Sequence, residues 1–380
     1  MKYYLIVISI GLSLLYLNLA HRSINPSITQ LDSLRTVTIT AVGDLMCHQP
    51  ETDYARVQPD SFDFRPMFRE VKNILSESDL TVGNLETTIT GKESKFSGYP
   101  FFNSPKQFLE AIKDAGFDLL FTSNNHCLDR GKKGILNTIT NLRSLGMNYV
   151  GTYESQTDRD SLRVFDINGI KLAVLSYTYG VNGNKIPKDG KYLVNVIDTL
   201  QIRNDLLAAR SKNVDAIMVY YHFGEEYQRE ANAYQKEIVD FSIQHGADII
   251  IGSHPHVIQP MKYFQTKNEN FREGFVAYSL GNFISNQRWR YSDCGVILKI
   301  KLTKNIFTNR VRISNISYLP TWVYKGKIDA YNRFVILPSD TNRYKLPVYL
   351  SKTDKLKLIQ SYSDSEKLLA NLHAENDSTK

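Results

Sequence analysis

Residues 104–126 read SPKQFLEAIKDAGFDLLFTSNNH, and the class of fold follows from this stretch. Ser104 followed by Pro105 predicts a helix start: a hydroxyl able to cap free N–H groups, then a proline whose missing N–H costs nothing in a first turn. Phe108, Leu109 and Ile112 recur at helical spacing. Gly116 stops the helix, because a residue without Cβ takes the left-handed cap freely. Asp118 to Phe121 is then a short apolar strand, and it runs straight into the polar cluster Thr122-Ser123-Asn124-Asn125-His126.

The same grammar extends in both directions. Upstream, Thr36 to Val42 (TVTITAV) is β-branched and ends at Gly43-Asp44, and Leu80 to Val82 ends at Gly83-Asn84-Leu85-Glu86. Met67, Phe68, Val71, Ile74 and Leu75 predict a helix between these strands. Downstream, Ile135, Ile139, Leu142 and Leu145 mark a helix closed by Gly146. Further strands are expected at Leu172–Tyr177, Ala216–Tyr221, Asp248–Ile251 and Phe275–Leu280, with helices near Ile197–Ala209 and Tyr234–His245. Strands alternating with helices define an α/β architecture with a largely parallel or mixed sheet. Cys294–Leu302 and Val311–Leu319 predict a hairpin that extends or covers that sheet. Thr353–Leu372 predicts a charged helix that frays into a polar end, and no internal repeat is present.

Composition bounds the rest. The chain has 380 residues, 42% hydrophobic and 22% charged, enough for a packed core and against global disorder. A net charge of +7 favours anionic partners, yet Lys and Arg are scattered. The stretch Arg288-Trp289-Arg290 is too short for a nucleic-acid stripe, so no nucleic-acid partner is expected. The 3 cysteines, Cys47, Cys127 and Cys294, imply no disulfide framework. Lys2 followed by an apolar run to about Ala20 predicts an exported chain, through a signal peptide or a membrane signal anchor. The expected organisation is a targeting segment 1–22, a polar linker 23–35, a main domain 36–325 and an extension 326–380 bearing the charged helix.

Polar residues of one chemical kind recur at one place, the C-terminal ends of the strands, where open α/β sheets bind ligands. They are Asp44, then Asn84 and Glu86, then Asn124, Asn125 and His126, then His222, then His254 and His256, with Asn282 following a later strand end. Each has a structural alternative: Asp and Asn cap turns, and a lone histidine after an apolar strand is often a satisfied core residue. His254-Pro255-His256 is the most specific, because two imidazoles flanking a rigid proline in an extended segment point to one side. Carboxylate, amide and imidazole groups converging from several loops are the ligands of a divalent transition metal, and their number suits two ions better than one. His48, His245 and His373 lack such context.

Taken in order, Gly43-Asp44-Leu45-Met46, Asn84-Leu85-Glu86, Asn124-Asn125-His126-Cys127-Leu128-Asp129, His222-Phe223-Gly224 and Gly252-Ser253-His254-Pro255-His256-Val257-Ile258-Gln259 resemble the capsule-synthesis CapA family. That family is tied to poly-γ-glutamate capsule production and belongs to the calcineurin-like metallophosphoesterase superfamily. Leu280-Gly281-Asn282-Phe283 resembles its terminal motif. The resemblance implies a four-layered α/β/β/α sandwich with two divalent ions (Mn, Fe or Zn) between the sheets. By position, Asp44, Asn125, His222, His254 and His256 would be ligands, with Asp44 also catalytic, and Glu86 or Asn84 would be the bridging group. His126 would be the general acid.

Two positions depart from the superfamily pattern. Met46 stands where an imidazole is usual, and Asn84 where an aspartate is usual; both are common in the CapA family. The implied function is metal-dependent hydrolysis or transfer on an anionic cell-envelope polymer or its precursor, at the membrane. The alternative is a non-catalytic, membrane-tethered member of a capsule synthesis or export complex that holds such a polymer.

Overall fold

The computed structural model describes residues 33–378. The predicted targeting segment and all but the end of the predicted linker lie outside the described residues. The strands, in chain order, begin with β1 (Leu34–Leu45), a small hairpin of β2 (Arg56–Gln58) and β3 (Ser61–Phe62), then β4 (Leu80–Leu85), β5 (Leu119–Phe121) and β6 (Asn148–Val150). They continue with β7 (Arg163–Ile167), β8 (Ile170–Thr178), β9 (Ala216–His222), β10 (Ile249–Ser253), β11 (Met261–Asn268) and β12 (Phe271–Ala277). The last are β13 (Asn282–Ile284), β14 (Cys294–Asn305), β15 (Val311–Ile328) and β16 (Tyr331–Pro338).

Apart from the β2–β3 hairpin, these strands build two mixed sheets. The first runs β16-β15-β14-β1-β4-β5-β6, with β13 beside the end of β1; the second runs β11-β12-β10-β9-β8-β7. The strands that carry the polar ends are mutually parallel: β1 with β4, β4 with β5, β8 with β9 and β9 with β10. Parallel pairing brings their C-terminal ends to one edge, and one device sets the register at the other edge. Asp79, Asp118, Asp215 and Asp248 each precede a strand, and each carboxylate accepts a backbone N–H from the neighbouring strand, at Thr38, Thr81, Lys171 and Ile217. The backbone N–H of the same four aspartates donates to the carbonyls of those same four residues. Each pair fixes one residue opposite one residue, so a slip of register breaks both bonds.

Apolar side chains of both sheets meet between them. Ile39, Val82 and Phe121 face Val174, Met218, Tyr220 and Ile251, with the Phe121 and Tyr220 rings stacked at 4.2 Å. Helices cover the outer faces: Lys106–Asp114 and Gly131–Ser144 bury Phe108, Ile112, Ile135 and Ile139 on the first sheet. Thr199–Arg210 and Ala233–Gln244 bury Ile202, Leu206, Ile238 and Val239 on the second. The order helix, sheet, sheet, helix therefore follows from where the apolar faces go.

Several expectations change in detail. Residues 65–76 form a 3₁₀ turn, Arg65–Met67, and a short helix, Lys72–Ser76, rather than one helix. The N–H groups of Phe68 and Val71 bond three residues back, which keeps Met67, Phe68, Val71 and Leu75 buried without a continuous α-helical ladder. Ser104 does not cap its helix; Pro105 is the N-cap residue, and the Ser104 hydroxyl bonds Thr87 Oγ1 at 2.7 Å instead. The strand expected to reach Leu280 ends at Ala277, because the chain leaves the second sheet there. The sheet starts before and ends after the expected domain limits: Leu34 and Arg35 belong to β1, β15 passes through position 325, and β16 extends the same sheet. The C-terminal helix, Lys352–Ser378, packs Leu358 against Trp322 and Leu337, and sends Leu369 into the inter-sheet core.

Candidate metal centre

The segment 278–284 crosses from one sheet to the other under the site. The Leu280 N–H donates to Gly252 at the end of β10, and Gly281 accepts from the Asp44 N–H at the end of β1. Two glycines make this crossing sterically feasible. A Cβ on Gly43 would sit 1.9 Å from the Gly281 oxygen, and one on Gly252 would sit 2.0 Å from the Tyr278 oxygen. Each glycine lies within two residues of a candidate ligand, Asp44 or His254, so the two halves of the site are pinned to each other by backbone bonds.

The predicted residues converge there. Asp44 accepts from Asn84 Nδ2 at 2.8 Å and from His256 Nδ1 at 2.9 Å. Glu86 Oε1 lies 3.6 Å from His222 Nε2 and 3.8 Å from His256 Nε2. His222 Nε2 is 3.0 Å from Asn125 Oδ1, and the His254 ring centre is 4.8 Å from that of His222. Two triads have ligand atoms within 4.8 Å of one another: Asp44, Glu86 and His222, and Glu86, His254 and His256. Glu86 belongs to both.

His254-Pro255-His256 is not extended, as the sequence suggested. His254 has φ of 101° and His256 of 57°, so both imidazoles are carried by left-handed backbone. Left-handed backbone is uncommon for side-chain-bearing residues and is retained where the surroundings hold it. Here the Pro255 carbonyl accepts the N–H of Tyr227, itself at φ 67°.

Asn84 faces the centre through nitrogen. Asn124 Nδ2 donates to the Leu85 carbonyl (2.7 Å) and to Asn84 Oδ1 (3.0 Å), which occupies the Asn84 oxygen. The remaining Asn84 amide donates to Asp44 and, at 3.1 Å, to Glu86 Oε2. Asn84 therefore holds the two carboxylates together through its nitrogen, with its oxygen turned to Asn124.

His126 stands apart from the triads. Its Nδ1 donates to Asp129 Oδ2 at 2.8 Å, an oxygen that also accepts the Phe102 N–H at 2.7 Å, and its Nε2 faces Asn182 Nδ2 at 3.4 Å. Asp129 and Asn182 were not foreseen as site residues. Asp129 sits three residues after His126, a spacing that could have marked it; Asn182 carries no sequence signal. His48, set aside on sequence, borders the site: its ring packs on Phe102 at 5.2 Å, and Phe102 packs on His126 at 4.7 Å. Asn282 turns away, donating to the Ser292 carbonyl and to Gln287.

Burial sets the charges. Burial alone would raise the Asp44 carboxyl, but the hydrogen bond and charge of His256 and the Asn84 amide hold it below the usual carboxylate range. Burial and then the Asp44 charge push Glu86 well above it. Burial, reinforced by neighbouring imidazoles, lowers His222 well below the usual histidine value and His254 to about 3. Both rings are thus neutral at pH 7, the form that binds metal.

The site is a buried carboxylate–imidazole cluster at the meeting edge of two α/β sheets. The chain belongs to the bacterial capsule synthesis protein family PGA_cap, whose sequence pattern matches residues 38–287, the family the ordered motifs resemble. It is similar to the capsule biosynthesis protein CapA of Bacillus anthracis, 28% identical over 278 residues that cover 71% of this chain and 64% of that protein. The chain thus spans less than two thirds of that relative. The PGA biosynthesis protein CapA of Bacillus subtilis (strain 168) is 27% identical over 303 residues, 77% of each chain. Among solved structures, the Haemophilus influenzae NAD nucleotidase NadN matches with a TM-score of 0.48 and 12% identity, covering 91% of this chain and 68% of that one.

Proposed function

We propose that this protein is an exported, membrane-held, metal-dependent hydrolase or transferase of the metallophosphoesterase type. It acts on a phosphate-type ester of an anionic, poly-γ-glutamate-like envelope polymer or its precursor. The observation that carries the metal is chemical: Glu86 Oε1 and His254 Nδ1 are buried and have no hydrogen-bond partner. Orphaned buried acceptors are costly, and a cation that accepts their lone pairs removes the cost. The donor set of carboxylate and neutral imidazole suits Mn, Fe or Zn.

Asp44, Glu86, His222, His254 and His256 are the ligands in this reading, with Asn125 Oδ1 beside His222. Glu86 belongs to both triads, so it would be the shared ligand if two ions were held. Bound ions supply a water of lowered pKa and charge neutralisation for the leaving oxygen. The protein's own residues do the rest. Asn84 fixes the separation of Asp44 and Glu86. Asp129 accepts from Nδ1 and orients the ring so that Nε2 faces the open side; as general acid the ring would enter the step doubly protonated, give its Nε2 proton to the departing oxygen and be left neutral with Nδ1–H still on Asp129. Phe102 and His48 back that ring. Export and membrane attachment rest on the apolar run near the N-terminus.

One observation favours the non-catalytic reading. Met46 is buried at 2% exposure where the superfamily pattern has an imidazole. The test separates the two: elemental analysis of the purified protein, then hydrolysis of generic phosphodiester and γ-glutamyl substrates by parent and His126→Ala. Stoichiometric metal with activity lost in the variant supports the enzyme. Metal-free protein that still binds polyglutamate after replacement of His254 and His256 supports the tethered binder.

A further inference from the structure

Aromatic rings surround the cluster and are left exposed. Tyr179 lies 4.6 Å from the His254 ring, Tyr227 lies 6.2 Å from His256, and Tyr99 lies 6.4 Å from His126. Trp289 stands edge-on to Tyr227 at 5.0 Å. Tyr179 and Tyr227 are each 39% exposed, Trp289 50% and Tyr99 75%. Rings that only shielded the site from water would be packed; these, from four separate segments, present surface to whatever enters.

The partners of Tyr179 and Tyr227 are hydrogen-bonding amides, and the guanidinium groups that flank Trp289 and Tyr99 are engaged elsewhere: Arg288 with the Val323 carbonyl, Arg290 with Asp364 and Arg130 with Ser97 and the Phe101 carbonyl. Asn182 bridges the Tyr179 hydroxyl, at 3.4 Å, and His126 Nε2, at 3.4 Å. Gln287 Nε2 donates to the Tyr227 hydroxyl at 3.2 Å. Glu226, the chain neighbour of Tyr227, is exposed beside it. A carboxylate at the rim opposes a second anionic unit there. Flat apolar faces interleaved with amides and one carboxylate match a pyranose ring, whose C–H faces stack while its hydroxyls donate and accept at the edge.

We propose that the mouth binds a neutral sugar ring, so that the ligand of the whole site is a glycosyl phosphate: phosphate at the metal centre, sugar among Tyr179, Tyr227, Trp289 and Tyr99. This rests on the metal-centre reading above and changes its substrate class, with a sugar at the mouth in place of a polyglutamate-like unit. The mouth is mechanically tied to that centre, since Tyr227 hangs by its N–H from the Pro255 carbonyl between the two histidines.

The chain carries its own reporter. It has 2 tryptophans; Trp322 is fully buried and Trp289 is at the mouth. The experiment titrates the full-length, manganese-loaded protein with inorganic phosphate, glucose 1-phosphate and adenosine 5′-phosphate, following tryptophan emission and manganese broadening of the phosphorus resonance. Glucose 1-phosphate is expected to bind about tenfold more tightly than phosphate and to change the Trp289 emission. That advantage should collapse toward one in Tyr227→Ala and Tyr179→Ala and survive in Tyr227→Phe. Phosphate that binds with no added affinity from the sugar overturns this inference alone, as does a larger advantage for the nucleotide. Failure of phosphate to bind the manganese-loaded protein overturns both this inference and the metallophosphoesterase reading.

Discussion

Replacing Glu51 by glutamine should make the protein progressively more stable than its parent as the pH rises. Glu51 lies on the helix Gln49–Ala55, fully buried, with neither carboxyl oxygen hydrogen-bonded. Burial raises its pKa from 4.5 to about 8, against the opposing pull of Lys325 and Arg288. Below the unfolded value the carboxyl is neutral in both states and costs nothing. Between that value and about 8 the unfolded chain has released a proton that the folded chain keeps. The folded state therefore loses about 1.4 kcal/mol for each pH unit climbed in this window. From pH 5 to pH 7 the loss is about 2.7 kcal/mol, an upper figure because water reaching the site would reduce it. Glutamine keeps the shape and cannot ionise. Any fixed cost of its amide is the same at every pH, so the slope is the readout. Urea unfolding of parent and variant at about pH 5, 6 and 7 measures it, and the difference between the two cancels every other titration. A stability difference flat with pH would refute the reasoning and mean that Glu51 is ionised and satisfied by Lys325 and Arg288.

Three further outcomes are expected. Asp129→Asn keeps one oxygen to accept from both His126 and Phe102 but removes the charge behind the ring, so turnover on a phosphodiester should fall by about one to two orders of magnitude, with metal content by elemental analysis unchanged. Asn84→Asp replaces a donor to Asp44 and Glu86 with a third carboxylate; the metal-free protein should lose about 1–3 kcal/mol, and manganese should raise its melting temperature by more than it raises the parent's. Asp248→Ala leaves the Ile217 N–H and the Arg210 guanidinium without their carboxylate, which should cost about 3–5 kcal/mol in chemical unfolding while the metal stoichiometry stays the same.

The parts legible in the sequence were those written in short-range chemistry. Gly116 and Gly146 stop their helices in left-handed backbone, at φ 101° and 63°, where the spacing put them. The strands that lead to Asp44, Glu86, His126, His222 and His254 are each announced by an apolar run cut off by polar residues. What was not legible depends on partners far along the chain. β13 is three residues long and exists because the crossing segment meets β1. β6, also three residues, is a strand because β5 offers it an edge. The apolar spacing at 67–75 named the buried side chains correctly and the backbone wrongly, since a tight turn and an α-helix can bury the same face.

The same limit decides how the site reads. The resemblance to the CapA family puts Glu86, or Asn84, in the bridging position, and nothing near Asn84 in the sequence says which way its amide turns. Its orientation follows from Asn124, forty positions away, whose nitrogen donates to the Leu85 carbonyl and to the Asn84 oxygen. That leaves nitrogen toward Asp44 and Glu86, and with it the charge of the centre. Two carboxylates and otherwise neutral donors balance one divalent ion; a second ion, in the two-ion reading, leaves two positive charges exposed to the mouth. An aspartate at position 84 would cancel one of them. With two ions held, as proposed, the asparagine would keep the centre more electropositive than an aspartate, which would favour a ligand bearing a dianionic group.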